Sequence, residues 1–116
     1  MGSKEATGRV LVVDSDPYRR TFLVQMLMES GRRVLMAGTG AEARAMLSSL
    51  GPRVEAVIVS PALADTSGPE LVQELRAERP EQRFVLIANE ASEPTIAGVE
   101  RLIRPITSEK LAALLG

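Results

Sequence analysis

Short apolar runs recur along this chain, and each leads through a turn into a segment with apolar residues three and four apart. Val10-Leu11-Val12-Val13, Val57-Ile58-Val59 and the run from Phe84 to Ala88 are the clearest runs. The alternation argues for parallel strands covered by helices on both faces of one sheet. In such sheets the chemistry lies at the carboxyl ends of the strands. The two segments that matter most are therefore Asp14-Ser15-Asp16-Pro17, after the first strand, and Ser60 with the loop Pro61 to Gly68, after the third.

The spacing predicts a first strand at Arg9–Val13. Asp16 suits an N-cap and Pro17 the first helical position. That helix turns Phe22, Leu23, Met26 and Leu27 inward and stops at Gly31. A second strand is read at Arg33–Ala37, then a turn at Gly38-Thr39-Gly40 and a helix with Ala43, Met46, Leu47 and Leu50 inward, ended by Gly51-Pro52. The turn is no phosphate-binding loop, because no Gly-Lys-Ser/Thr follows it. A third strand spans Val54–Val59, and Ser67 or Gly68 caps a helix that buries Leu71, Val72 and Leu75 and ends before Pro80. A fourth strand spans Phe84–Ala88. The segment 89–98 then has room for at most two helical turns, and Pro94 limits where they start. A fifth strand is read at Val99–Ile103, followed by a short helix from Ser108 to Leu115, capped by Thr107 or Ser108, with Leu111, Leu114 and Leu115 on its apolar side. Met26, Met28, Met36 and Met46 read mostly as core filler.

The 116 residues suffice for one domain with a real core. Residues 1–8 read as a disordered lead or cloning scar, and 9–116 as the domain. A net charge of -1 offers no electrostatic grip on nucleic acid or anionic lipid. Tyr18, Phe22 and Phe84 are the only aromatic residues, too few for a base-stacking platform. Arg19-Arg20 and Arg32-Arg33 read as a solvated basic face. Without Cys or His the chain has no disulfide, no thiolate metal site and no imidazole base. No apolar stretch approaches the ~18 residues of a membrane span. These features lead us to expect a cytoplasmic protein that is not an enzyme and contacts neither membrane nor nucleic acid directly.

Asp14 after the first strand, Gly68 in the loop after the third and Arg104-Pro105 after the fifth stand in a particular order. So do Gly31, Val34, Ala37, Gly40, Glu42 and Ala43 around the second strand, and Glu70-Leu71 and Leu75-Arg76 in the third helix. In this order and spacing the chain resembles the response-regulator receiver domain from about Arg9 to Leu115. The resemblance implies a flavodoxin-like, doubly wound sheet of five parallel strands in the order 2-1-3-4-5, in three α/β/α layers. The fourth helix is expected to be shortened or absent.

The resemblance also implies a chemistry. Family members take a phosphoryl group from a histidine kinase onto an aspartate ending strand three, beside Mg²⁺ held by two acidic residues after strand one. A Thr or Ser ending strand four and a Lys before Pro after strand five sense the phosphate. On this chain the acceptor position is Ser60, and the metal positions are Asp14 and Ser15, with Asp16 nearby as a helix cap. The switch positions are Ala88, or Asn89 if the strand runs one residue further, and Arg104, which keeps charge but not geometry. One acid and one cation remain, so Mg²⁺ binding is expected to be weak or absent, and Arg104 is expected to pair with Asp14 across the sheet edge. Asp65 is read as a turn residue too far along its loop to replace the acceptor.

The function expected from these residues is a phosphorylation-independent pseudo-receiver, a docking or regulatory module in bacterial signal transduction. Its partner would be a protein, or other domains of a longer chain, met through Ile96, Val99, Arg101, Ile103 and Leu111; a weak homodimer is a further possibility. Two other readings stay open. One is a working phosphoacceptor that uses Ser60 or Asp65, or a Ser60 modified by a serine kinase at an exposed loop start. The other is an α/β domain that binds a small ligand at the same edge.

Overall fold

A computed structural model describes residues 9–50, without the Leu50 side chain, and 53–116. The readings made for residues 1–8, for an inward Leu50 and for the stop at Gly51-Pro52 lie outside the described residues. The strands are β1 (Arg9–Val13), β2 (Val34–Ala37), β3 (Val54–Val59), β4 (Phe84–Ala88) and β5 (Glu100–Ile103). The helices are α1 (Pro17–Glu29), α2 (Gly40–Leu50), α3 (Gly68–Glu78) and α4 (Ser108–Leu115). The strands pair in parallel in the order β2-β1-β3-β4-β5. This is the flavodoxin-like arrangement.

Side chains alternate across each strand, so the sheet divides the core in two. Leu11, Val13, Val57, Val59 and Leu86 meet Leu47 of α2 and Leu71 and Leu75 of α3 on one face. Val10, Val12, Ile58, Val85 and Ile87 meet Leu23 and Leu27 of α1 and Leu111 of α4 on the other. Leu11, Leu27, Leu47 and Ile58 are fully buried; burial of each such side chain contributes about 1.5–3 kcal/mol. Among the described residues no helix is long and apolar enough to cross a membrane.

Three expectations about burial are corrected. Phe22 is 59% exposed, and the buried residues of α1 are Leu23, Val24 and Leu27. At 100° per residue Val24, not Phe22, completes the face centred on Leu23 and Leu27. Met28 lies on the outer side of the same helix and Met36 on the edge strand β2, and both are exposed rather than core filler. Leu111 is buried against the sheet, so it cannot serve as an exposed partner contact.

No helix forms between β4 and β5. The connecting segment instead lays Ile96 and Val99 on the core side occupied by α2 and α3. Side chains from flanking elements hold its carbonyl groups. Arg101 of β5 donates to the Glu93 and Ala91 oxygens at 2.7 and 3.0 Å. Arg76 of α3 donates to the Ala97 oxygen at 2.8 Å. The edge strand β5 is fastened by a two-pronged pair, Arg83 Nε to Glu100 Oε1 at 2.5 Å and Nη2 to Oε2 at 2.9 Å. The hydrogen bond from Arg83 keeps the Glu100 carboxyl below its ordinary range.

Candidate functional site

The carboxyl ends of β1, β3 and β4 bring Asp14, Ser60 and Ala88 to one edge of the sheet, with Arg104 just beyond β5. Asp14 is buried, at 2% exposure. Its Oδ1 accepts from the Asp16 N–H at 2.9 Å, and its Oδ2 accepts from Arg19 Nε at 3.4 Å. The expected Arg104 partner is further off, with Nη2 4.0 Å from Asp14 Oδ2. Arg104 Nη1 instead donates to Asn89 Oδ1 at 2.6 Å. Arg104 therefore pairs with Asp14 only at long range, and Arg19, expected on a solvated face, is the nearer cation. Arg20 is committed here too, donating to the Asp14 backbone oxygen at 2.6 Å. A helical turn after Asp14 places Arg19 and Arg20 over the strand end, and the i, i+5 spacing is the signal that the reading passed over.

Asp16 caps α1. Its Oδ1 accepts from the N–H groups of Arg19 and Tyr18, and its Oδ2 pairs with Arg19 Nη1 at 3.2 Å. Hydrogen bonds from Arg19 N–H and then Tyr18 N–H hold its carboxyl below the ordinary value of 3.8.

Ser15, at the second metal position, is occupied as a clasp. Its Oγ donates to the Gly38 oxygen and accepts from the Ala64 N–H at 2.8 Å. One hydroxyl thus ties together the loops after β1, β2 and β3. The third of these loops doubles back through a bridge between Ala62 and Ser67 and a bond from Leu63 N–H to the Thr66 oxygen at 3.0 Å. This carries Asp65 onto the start of α2, where its carboxylate accepts from Gly40 N–H at 2.8 Å and Ala41 N–H at 3.0 Å. Thr39 Oγ1 takes the N–H of Glu42 at 3.1 Å. The free N–H groups of the first turn are thereby satisfied. Asp65 is a helix cap supplied from a distant loop, not merely a turn residue.

Bonds from Gly40 N–H and Ala41 N–H lower the Asp65 carboxyl below 3.8. A carboxyl lowered on folding adds stability above its unfolded value, and that gain disappears as pH falls through the folded value. Asp65→Ala is expected to lower the thermal midpoint at neutral pH, with the gap to wild type closing as pH drops below 3.8. Thermal melts followed by circular dichroism over an acid series check this.

Ser60 is fully buried, and among the described residues its Oγ has no hydrogen-bond partner. The exposed loop start that a serine kinase needs is absent at this residue. Its N–H donates to the Val13 oxygen at 3.0 Å, which holds the ends of β1 and β3 together. A desolvated hydroxyl without a partner costs stability. Ser60→Ala is therefore expected to leave stability unchanged or raise it by up to about 1 kcal/mol in urea unfolding.

Ala88 ends β4 and is buried, so the strand end to which the resemblance assigns a switch hydroxyl carries none. Asn89, one residue on, binds Arg104. Burial, then repulsion from Arg19, lowers the pKa of the Arg104 guanidinium.

Mg²⁺ needs several hard oxygen ligands in near-octahedral array. This edge presents one buried carboxylate already held by Arg19, a serine engaged on two loops and a second serine in place of the acceptor. Among the described residues no three Asp, Glu, His or Cys side chains gather into a metal-binding group. The residues present do not fit the ion that the resemblance implies.

No family model matches the chain. The transcriptional regulatory protein AruR of Pseudomonas aeruginosa is 37% identical over 114 residues, a match covering 90% of this chain and 46% of AruR. The chain thus spans less than half the length of that relative. Among solved structures, a response-regulator receiver domain protein from Clostridium thermocellum superposes with a TM-score of 0.84 at 19% identity, covering 91% of this chain and 89% of the other. A CheY-like receiver domain from Methylobacillus flagellatus gives 0.84 at 23% identity, covering 94% and 96%. These two likenesses establish the fold, and the AruR match carries the sequence resemblance across the same length. The chain thus has the fold of response-regulator receiver domains, and its sequence is similar to that of AruR over 114 residues.

Proposed function

We propose that this domain acts in two-component signalling as a pseudo-receiver, docking to a protein partner without being phosphorylated. The observation that carries the reading is Ser60. It stands at the acceptor position, fully buried, with an unpartnered hydroxyl and without the carboxylate that would become an acyl phosphate. The Arg19–Asp14 contact supports it, because a guanidinium lies against the one remaining acid of the metal site. The clasp made by Ser15 acts in the same direction, since it joins three loops that a phosphate-driven switch would have to rearrange.

The partner is a protein or the remaining domains of a longer regulator, in line with the partial coverage of AruR, whose name describes a transcriptional regulatory protein. Docking uses the edge of β5 and the segment before it, through Ile96, Val99, Arg101 and Ile103, in a cytoplasmic setting. Exposed edge strands are common pairing sites, and among the described residues β5 has no strand on its outer side.

The test is intact-mass spectrometry after incubation with phosphoramidate and Mg²⁺. The expected spectrum is that of the unmodified chain. A stoichiometric phosphoryl adduct on any residue would overturn the reading.

A further inference from the structure

A cavity of about 300 Å³ opens beside Asp14, between α1 and the segment after β5. This is the lower end of the ~300–1,000 Å³ range typical of small-molecule sites. Its walls are Phe22 and Leu23 of α1, Ile87 of β4, and Pro105 and Ile106. Its charged lining consists of Asp14, Arg19 and Arg104.

The charges are unevenly paired. Asp14 is engaged by Arg19 at 3.4 Å and by the Asp16 N–H at 2.9 Å. Asp16 faces Arg19 and the α1 amides, and Glu93 accepts from the N–H groups of Asn89 and Glu90. Among the described residues, Arg104 is left with a neutral amide oxygen at 2.6 Å and no carboxylate closer than 4.0 Å, although only a quarter of its side chain is exposed. A half-buried guanidinium without a close counterion carries a desolvation cost that an anion would offset. Phe22 adds a second observation. It is a large aromatic side chain, 59% exposed, and it lines the cavity rather than the core.

We propose that this cavity binds a small organic monoanion, with its carboxylate on Arg104 and its apolar body against Phe22, Ile87, Pro105 and Ile106. Asp14 and Asp16 both lie on Arg19, so Arg104 is the lining cation, among the described residues, that lacks a close carboxylate, and one guanidinium favours a single carboxylate over a dianion. The apolar walls favour a compact ring or short chain over a hydrated inorganic ion. Binding would brace α1 against the segment after β5, so the ligand would act on the domain without touching Ser60. The inference does not depend on the absence of phosphorylation.

The test uses the full chain, isotope-labelled, titrated with benzoate, with neutral benzamide and with inorganic phosphate. Benzoate is expected to give saturable shifts at Phe22, Leu23, Ile87 and Arg104 with a dissociation constant on the order of 1 mM or tighter. Benzamide is expected to bind at least tenfold more weakly. Arg104→Gln should weaken benzoate at least tenfold with an unchanged thermal midpoint, and Arg104→Lys should restore part of the loss. Equal binding of benzoate and benzamide, no saturable shift with benzoate, or full affinity in Arg104→Gln would each overturn the proposal. Phosphate reproducing the benzoate shifts with equal affinity would also overturn it, since the apolar walls would then contribute nothing.

Discussion

Gly68→Ala is expected to lower the unfolding free energy by about 3 kcal/mol, the cost of forcing atoms into a site with no free volume. A Cβ at this residue would lie 2.1 Å from the Ser60 backbone oxygen and 3.0 Å from both Pro61 Cα and Leu86 Cδ1. Two of these contacts are backbone, so rotating one side chain gives no relief. The Gly68 N–H also donates to the Pro61 oxygen at 2.9 Å, which fixes the first turn of α3 against the end of β3. Any shift that admits the methyl group breaks that bond and drags the loop that brings Asp65 to α2. In a domain of this size the loss corresponds to roughly 10 °C in thermal midpoint. Urea unfolding measures the free energy, and a variant within error of wild type would show that the close approach is not rigid.

Ser60→Asp is the second large effect. It puts back the residue type that the receiver family uses as acceptor, into a site without the groups that make it tolerable. Residue 60 is fully buried, and its N–H bonds to the Val13 oxygen next to the buried Asp14. The guanidinium nearest to Asp14, that of Arg19, is already shared between Asp14 and Asp16. A carboxylate there loses its water and gains a like-charged neighbour, and both effects raise its pKa. The expected loss is roughly 2–4 kcal/mol at neutral pH. A carboxyl raised on folding is most destabilising when ionised, so the penalty shrinks as pH falls towards the unfolded carboxyl range. Denaturant midpoints at neutral and mildly acidic pH check the sign. Mg²⁺ would raise the midpoint if it bound the folded form. No such rescue is expected, nor any phosphoryl adduct from phosphoramidate, because Ser15 and Ala88 still lack the acid and the hydroxyl. Either one would refute the account of the metal site.

Local signals made much of the fold legible in the sequence. The continuous apolar runs locate β1, β3 and β4 to the residue, since buried parallel strands need apolar side chains on both faces. Asp16, Ser67 and Thr107 all cap the helices that follow them, because capping depends on neighbours two and three residues away. The lost helix before β5 follows from the shortness of the segment and from Pro94. What could not be read is what distant loops do to one another. Asp65 caps α2 from 25 residues away, and Ser15 reaches Gly38 and Ala64 across gaps of 23 and 49 residues. The choice of Arg19 over Arg104 as the nearer partner of Asp14 is set by where α1 stands over the strand end, which periodicity alone does not fix. Phe22 faces outward because its i, i+4 partner Met26 is only partly buried and Val24 takes the inner face, a choice that the spacing of apolar residues leaves open.

The most direct measurement is a titration of the labelled wild-type chain with Mg²⁺ followed by beryllofluoride, read at the amide resonances of Asp14, Ser60 and Ala88. The expected result is no saturable shift at those three residues and no second set of peaks in slow exchange. A saturable Mg²⁺ response there, or a new peak set on adding beryllofluoride, would contradict the proposal that this domain works without being phosphorylated.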